Sequence, residues 1–182
     1  MLSVLLQRFI ILCLVGLWLT LSDSVAQTRV RREIPQSLPR SPEEQEKLFR
    51  LPPGFQIELI ASEPEIPKPI NMNFDAAGRL FVSHSTEYPF APFRGRPARD
   101  AIKMILDDDQ NGIPETVVTY AEGLSIPIGV TPVHDGVIGL SIPNLYRFSD
   151  TDGDGRADRK EAVYGPFGYG DTHGMVSSLT WW

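Results

Sequence analysis

The chain has 182 residues, 42% of them hydrophobic, and 17 basic against 23 acidic residues give a formal charge of -6. That is enough apolar material for a core, and an acidic balance with no basic patch beyond Arg29, Arg31 and Arg32 argues against nucleic acid as a partner. A single cysteine, Cys13, excludes intrachain disulfides and cysteine-built metal clusters.

Residues 1–26 read as a secretory signal. Arg8 precedes the apolar run Phe9 to Leu21, and Ser24, Val25 and Ala26 supply small residues for cleavage after Ala26. An uncleaved anchor is the competing reading, but the run falls short of the roughly 20 residues a membrane span needs. Leu12 is too large for the residue before a lipoprotein cysteine. The mature chain is therefore expected to be exported, periplasmic or extracellular, touching the membrane only through the signal before cleavage.

Residues 27–40 carry Pro35 and Pro39 among polar and basic residues, too little apolar surface to order a segment, and read as a disordered linker. Ser41, Pro42 and Glu44 spell an N-cap, a proline in the first turn and a capping-box glutamate, so a short helix is expected over residues 41–50. Pro52 and Pro53 end it. Phe55, Ile57 and Leu59 alternate with Gln56 and Glu58, as in a half-buried strand.

From Pro69 the chain repeats itself. Pro69, Ile70, Gly78 and Ser83 recur 58 residues later as Pro127, Ile128, Gly136 and Ser141. Each half reads as a hairpin with glycine at its turn, followed by a second hairpin: Ile102 to Leu106 with Thr116 to Tyr120, then Leu145 to Phe148 with Ala162 to Tyr164. The second hairpins lie only 43 residues apart, so the first unit carries an insertion of about 15 residues around Ser85 to Asp100. Two four-stranded units in tandem, about 69–120 and 127–164 with a third beginning near 175, are the pattern of propeller blades. The expected fold is all-β, a partial β-propeller over residues 51–182. A sandwich is the competitor, but it needs no such repetition.

The turn of each second hairpin is acidic. Asp150, Asp152 and Asp154 stand at positions 1, 3 and 5 of the twelve-residue calcium-loop pattern. Gly155 is at the sharp turn, Arg156 offers its carbonyl, Asp158 is at position 9 and Glu161 at 12. A hard cation takes six to eight such oxygens, whereas an empty polar turn explains the glycine but not three alternating carboxylates. Asp107, Asp109, Asn111, Gly112 and Glu115 form a weaker copy with Val118 where the bidentate glutamate belongs. Strand-rich flanks replace the helices of an EF-hand.

Certain residues also carry a resemblance. Leu51-Pro52-Pro53-Gly54-Phe55 with Glu58-Leu59-Ile60-Ala61, Phe74-Asp75 to Gly78-Arg79-Leu80, Glu87-Tyr88-Pro89, Arg99-Asp100 and Asp171-Thr172-His173-Gly174-Met175 resemble the start of the bacterial putative membrane-bound dehydrogenase domain. Those exported proteins often carry c-type haem modules and are distantly similar to glucose and sorbosone dehydrogenase propellers, which use pyrroloquinoline quinone and calcium. The resemblance covers Ser41 to Trp182 and only the first third or so of the family's propeller. It implies an N-terminal fragment of a quinone-dependent sugar or alcohol dehydrogenase, incomplete for catalysis, with pyrroloquinoline quinone possible in the complete form. No Cys-x-x-Cys-His haem motif is present.

In a propeller the turns between strands one and two and between three and four share one face. Both acidic loops then serve as braces, while the insertion with Glu87, Tyr88, Arg94, Arg96 and Arg99 and the connector 165–174 fall on the funnel face. The resemblance makes His173 the candidate general base, since imidazole titrates near neutrality; a loop histidine bonded to backbone is the plainer reading. His84 and His134 show no partners in the sequence. Trp181 and Trp182 suit packing between blades, and Phe167 and Tyr169 suit either a lid or a plug. Three functions stay open: a sugar or alcohol dehydrogenase part, a non-catalytic calcium-dependent glycan- or protein-binding propeller, and a calcium-repeat structural module. Two blades leave open strand edges, so aggregation or self-association is expected.

Overall fold

The computed structural model describes residues 38–93 and 95–180. The signal and most of the linker, Arg94, Trp181 and Trp182 lie outside the described residues. The protein is mostly β, with two four-stranded antiparallel sheets and one short α-helix. Helix α1 (Pro42–Glu46) starts as its sequence dictates: Ser41 Oγ accepts from Glu44 N at 3.2 Å and Glu44 Oε2 accepts from Ser41 N at 3.0 Å. It stops four residues before Arg50, because no residue of it is buried and its last turn carries no basic side chain to favour continuation.

The first sheet holds β1 (Pro69–Phe74), β2 (Leu80–His84), β3 (Asp100–Leu106) and β4 (Thr116–Leu124). The second holds β5 (Val130–Val133), β6 (Gly136–Ser141), β7 (Asn144–Ser149) and β8 (Arg159–Tyr164). In each, strands consecutive in sequence are neighbours in space. The insertion falls where the offsets place it, since 85–99 joins β2 to β3 while Ile142 and Pro143 alone join β6 to β7.

The repeat is not uniform along the strands. Phe74 pairs with Leu80 in the first hairpin and Pro132 with Val137 in the second, so the second turn is one residue shorter. Ser141, opposite Asn144, is thus the partner-equivalent of His84, opposite Ala101, rather than of Ser83. Absorbing the deletion in the turn matters because a one-residue slip within a strand would send every following side chain to the wrong face. Gly136 makes the tighter turn possible: at φ 151° a Cβ there would lie 2.0 Å from Phe148 O.

The two sheets pack face to face. Phe81, Ile102, Met104, Tyr120, Ala121 and Leu124 of the first meet Val130, Val137 and Phe148 of the second in one buried cluster. Burial of each large side chain contributes about 1.5–3 kcal/mol. Polar contacts fix the alignment of the edge strands β1 and β5. Val130 N donates to Asn71 Oδ1 at 3.1 Å, Asn73 Nδ2 to Thr131 Oγ1 at 3.3 Å, and Thr131 Oγ1 to Leu179 O at 2.7 Å. The same β5 hydroxyl therefore meets the preceding sheet and the following segment. Residues 175–180 form no strand, in contrast to the expected start of a third unit.

Phe55 to Leu59 are also not a strand. No neighbouring backbone pairs with them, and Phe55 and Leu59 are exposed, so alternation alone did not suffice without a partner edge. The next stretch does pack, placing Ala61 and Ile66 on Leu80, Val82 and Ile105 across the far side of the first sheet. Beside them on β1, Met72 and Phe74 remain 70% and 65% exposed. Their counterparts Val130 and Pro132 are buried between the sheets.

Two buried polar residues of β2 and β3 organise the insertion. Asp100 is fully buried and accepts five hydrogen bonds: from Ser85 Oγ (2.5 Å), Thr86 N (2.8 Å), Thr86 Oγ1 (3.2 Å), Glu87 N (3.3 Å) and Ile126 N (3.2 Å). His84 is buried with Nδ1 unpartnered. Burial first, then the Lys103 ammonium, pushes its imidazole below the ordinary 6.5, against the opposing charge of Asp100. A depressed histidine means the unfolded chain takes up more protons as pH falls below 6.5, so stability is complete above that value and declines towards the lower folded one. Melting the protein at pH 7.5 and at pH 5.5 is expected to show a lower midpoint at pH 5.5, with His84→Gln removing part of the difference.

Candidate functional site

The two acidic loops are built alike. In the β7–β8 turn, Gly153 N and Gly155 N donate to Asp150 at 2.7 and 2.9 Å, Asp154 N to Asp152 at 3.3 Å and Arg156 N to Asp154 at 2.8 Å. This winds the loop so that carboxylate oxygens of Asp150, Asp152 and Asp154 all lie within 4.8 Å of one another. Gly153 and Gly155 sit at φ 81° and 86°, which the winding requires. Burial works against ionisation of Asp150, but the amides of Gly155 and Gly153 outweigh it and hold the carboxyl below its usual value.

The other expected ligands also have partners of their own within the turn. Asp158 accepts from Thr151 N and Oγ1, Glu161 on β8 binds the Arg159 guanidinium, and Arg156 is placed by its own N–H on Asp154. In the β3–β4 turn, Asp107, Asp109 and Glu115 converge within the same distance. Asn111 N donates to Asp107 and Asp109 at 3.0 and 3.1 Å, Asn111 Nδ2 to Asp109 at 3.0 Å, and Asn111 Oδ1 takes Ile113 N at 2.7 Å. Two exposed acidic triads could thus bind a metal ion. Their all-oxygen donor sets match a hard cation rather than a soft one.

The second loop also touches the first sheet, which the sequence did not indicate. Ala157 N donates to Tyr120 O at 2.7 Å, and Gly155 faces Met104 and Val118. Tyr120 in turn donates from its hydroxyl to Phe148 O at 3.2 Å, and burial, then the Asp150 charge, pushes that hydroxyl up to about 12.

A different region gathers the groups suited to small-molecule chemistry. The start of β1, the approach to β5, Tyr88 of the insertion and residues 172–178 line a cleft of about 530 Å³. His173 lies in a 3-10 turn, Thr172–Gly174, capped by Asp171. Asp171 Oδ1 accepts from His173 N at 3.0 Å and lies 3.3 Å from His173 Nδ1. In the tautomer that donates from Nδ1 to Asp171, the Nε2 lone pair is free to accept a proton. The ring meets Tyr88 edge-on, with centroids 5.7 Å apart.

Asp171 was not singled out in the sequence. The signal that could have found it is the Asp-x-His spacing, in which an aspartate caps the backbone N–H two residues on. The buried Glu87 carboxylate meets two of the insertion arginines at the surface: its Oε1 lies 3.0 Å from Arg96 Nη2 and 3.7 Å from Arg99 Nε. His134 is in the turn before β6, and its neighbour Asp135 is paired with Arg147, which holds that carboxyl below its ordinary value.

No curated protein and no solved structure matches the chain. A family model described as a domain of unknown function, DUF7133, matches residues 41–182, which span α1, both sheets and the cleft, and the chain belongs to that family.

Proposed function

We propose that this chain supplies the proton-accepting side of a sugar- or alcohol-oxidising site, carried on propeller-type sheets braced by calcium and acting outside the cytoplasm. The observation that carries the reading is the Asp171–His173 pair on the wall of a cleft of about 530 Å³. A hydroxyl bound there would lose its proton to His173 Nε2, while Asp171 holds the ring orientation and stabilises the imidazolium that forms. Tyr88 restricts the ring from the other side.

Calcium would be held by Asp150, Asp152 and Asp154, and by Asp107, Asp109 and Glu115, where it cancels carboxylate repulsion at the hairpin tips. The hydride acceptor implied by the resemblance, pyrroloquinoline quinone, has three carboxylates, and the described lining of the cleft offers one ammonium, Lys68. Those residues do not fit it.

The test is oxidation of a panel of sugars, sugar alcohols and sugar acids by the exported chain, supplied with calcium and with a soluble quinone dye as the acceptor of the hydride. His173→Asn is expected to lower turnover by about 100-fold or more, and Asp171→Asn by a smaller factor with a shifted pH profile. Absence of turnover on the whole panel, or a His173→Asn variant as fast as the parent, overturns the reading. A second reading, glycan binding without reaction, is favoured by the exposed aromatic side chains of Phe90, Phe93 and Tyr169. Glycan-array binding in the absence of turnover would select it.

A further inference from the structure

We infer that the cleft is selective for an anionic, hydroxylated small molecule of the sugar-acid type, and that Lys68 is the residue that recognises its carboxylate. This rests on the reading of the cleft as a small-molecule site and names the substrate class it takes.

The argument begins with the charges. None of the residues lining the cleft is acidic, and Lys68 carries their only fixed charge. Among the described residues its ammonium makes one hydrogen bond, to the carbonyl of Tyr88 at 3.2 Å, and no salt bridge, which leaves two of its three N–H groups to offer. Of the acidic residues in the neighbouring segments, Glu63 and Glu65 are exposed and do not line the cleft, and three others hold partners of their own. Glu87 holds Arg96 and Arg99, Asp100 receives five donors from the backbone and hydroxyls around it, and Asp171 holds His173. An ammonium without a salt bridge at a concave site, on a chain whose net charge is -6, favours an anion there.

Position and neighbours then narrow the ligand. Lys68 is pinned at both ends, since its carbonyl accepts Ser85 N at 3.2 Å while its ammonium rests on Tyr88. Lys68 and His173 both touch Tyr88, one at its carbonyl and the other at its ring, so the anion site and the proton acceptor bracket a single residue. Ser177 and Ser178 add hydroxyls, and Asn71 keeps Nδ2 unpartnered because only its Oδ1 is used, by Val130 N. Ile128 and Met175 give an apolar wall for the C–H face of a sugar chain. A carboxylate at one end of a short polyol, with a hydroxyl left for His173, satisfies each of these groups.

The experiment is isothermal titration of the full chain, at constant calcium, with D-gluconate and with D-glucitol, which has the same carbon chain without the carboxylate. Gluconate is expected to bind at least about tenfold more tightly, with the preference shrinking as salt is raised. Lys68→Met should abolish the preference while leaving glucitol binding and the melting midpoint in place, and Lys68→Arg should retain most of it. Equal affinity for the two, no heat from either up to 20 mM, or an unchanged preference in Lys68→Met overturns the assignment. Because binding is read without turnover, a chain that binds gluconate through Lys68 but oxidises nothing sinks the dehydrogenase reading and keeps this one. A chain that oxidises neutral and acidic sugars alike does the reverse.

Discussion

Replacing Asp100 by alanine is expected to cost about 3–5 kcal/mol, the largest loss from any single side chain in the two sheets. Asp100 is fully buried, and its carboxylate is the common acceptor for donors from three consecutive residues of the insertion and from Ile126 N in the link to β5. Removing it strands the buried N–H groups of Glu87 and Ile126 and the buried Ser85 hydroxyl, and each stranded buried donor costs about 1–3 kcal/mol. Asp100→Asn keeps the shape but must turn its NH2 towards one of those donors, so a loss of about 2–3 kcal/mol is expected. Urea denaturation of the two variants checks both, with the midpoint falling and the slope unchanged. The second sheet gives the internal comparison. There Ser141, the partner-equivalent of His84, accepts from Ser125 N at 3.0 Å, and with a link of two residues no buried carboxylate is required. Ser141→Ala should therefore cost only about 1 kcal/mol.

Calcium at 2 mM is expected to raise the melting midpoint by about 5 °C, and magnesium at the same concentration by much less. Binding to the folded form alone stabilises by RT ln(1 + [L]/Kd), which for a loop of Kd near 50 μM gives about 2 kcal/mol. In a domain of this size each kcal/mol moves the midpoint by about 2–4 °C. Magnesium holds its waters and demands tighter octahedral geometry than an exposed triad provides. Asp152→Asn with Asp154→Asn should remove most of the gain, because these two carboxylates join Asp150 at the tip of the loop that rests on the first sheet. Asp109→Asn should remove less. A midpoint indifferent to calcium in the parent would leave both triads as polar turns.

Local chemistry made much of this structure legible in the sequence, and long-range partnership accounts for what was not. Eight strands were readable because each carries its own alternation and turn residues, and the unequal offsets located the 85–99 insertion. The capping box of α1 was legible for the same reason. Phe55 to Leu59 has strand alternation but no edge to pair with, and residues 175–180 lie along β5 without entering a ladder, neither of which periodicity can register. In the acidic loops the ladder of residues 150, 152 and 154 was visible in the spacing. That Asp158 would turn to Thr151, and Glu161 to Arg159, depends on side-chain neighbours created by the hairpin. Asp100 was visible only as part of a resemblance. Its role needs the link before β5 brought beside the insertion, a contact made across 26 residues of chain.

The order of the strands has a consequence for synthesis. Since every ladder joins segments adjacent in the chain, the strands of the first sheet can pair before β5 has been translated, with the face shared with the second sheet still uncovered. The later hairpins then arrive at an existing template, whose Asn71, Asn73 and Tyr120 are already in place to receive them. A change that unfolds the second sheet is accordingly expected to uncover Phe81, Ile102, Met104 and Tyr120 as well, so the two layers stand or fall together.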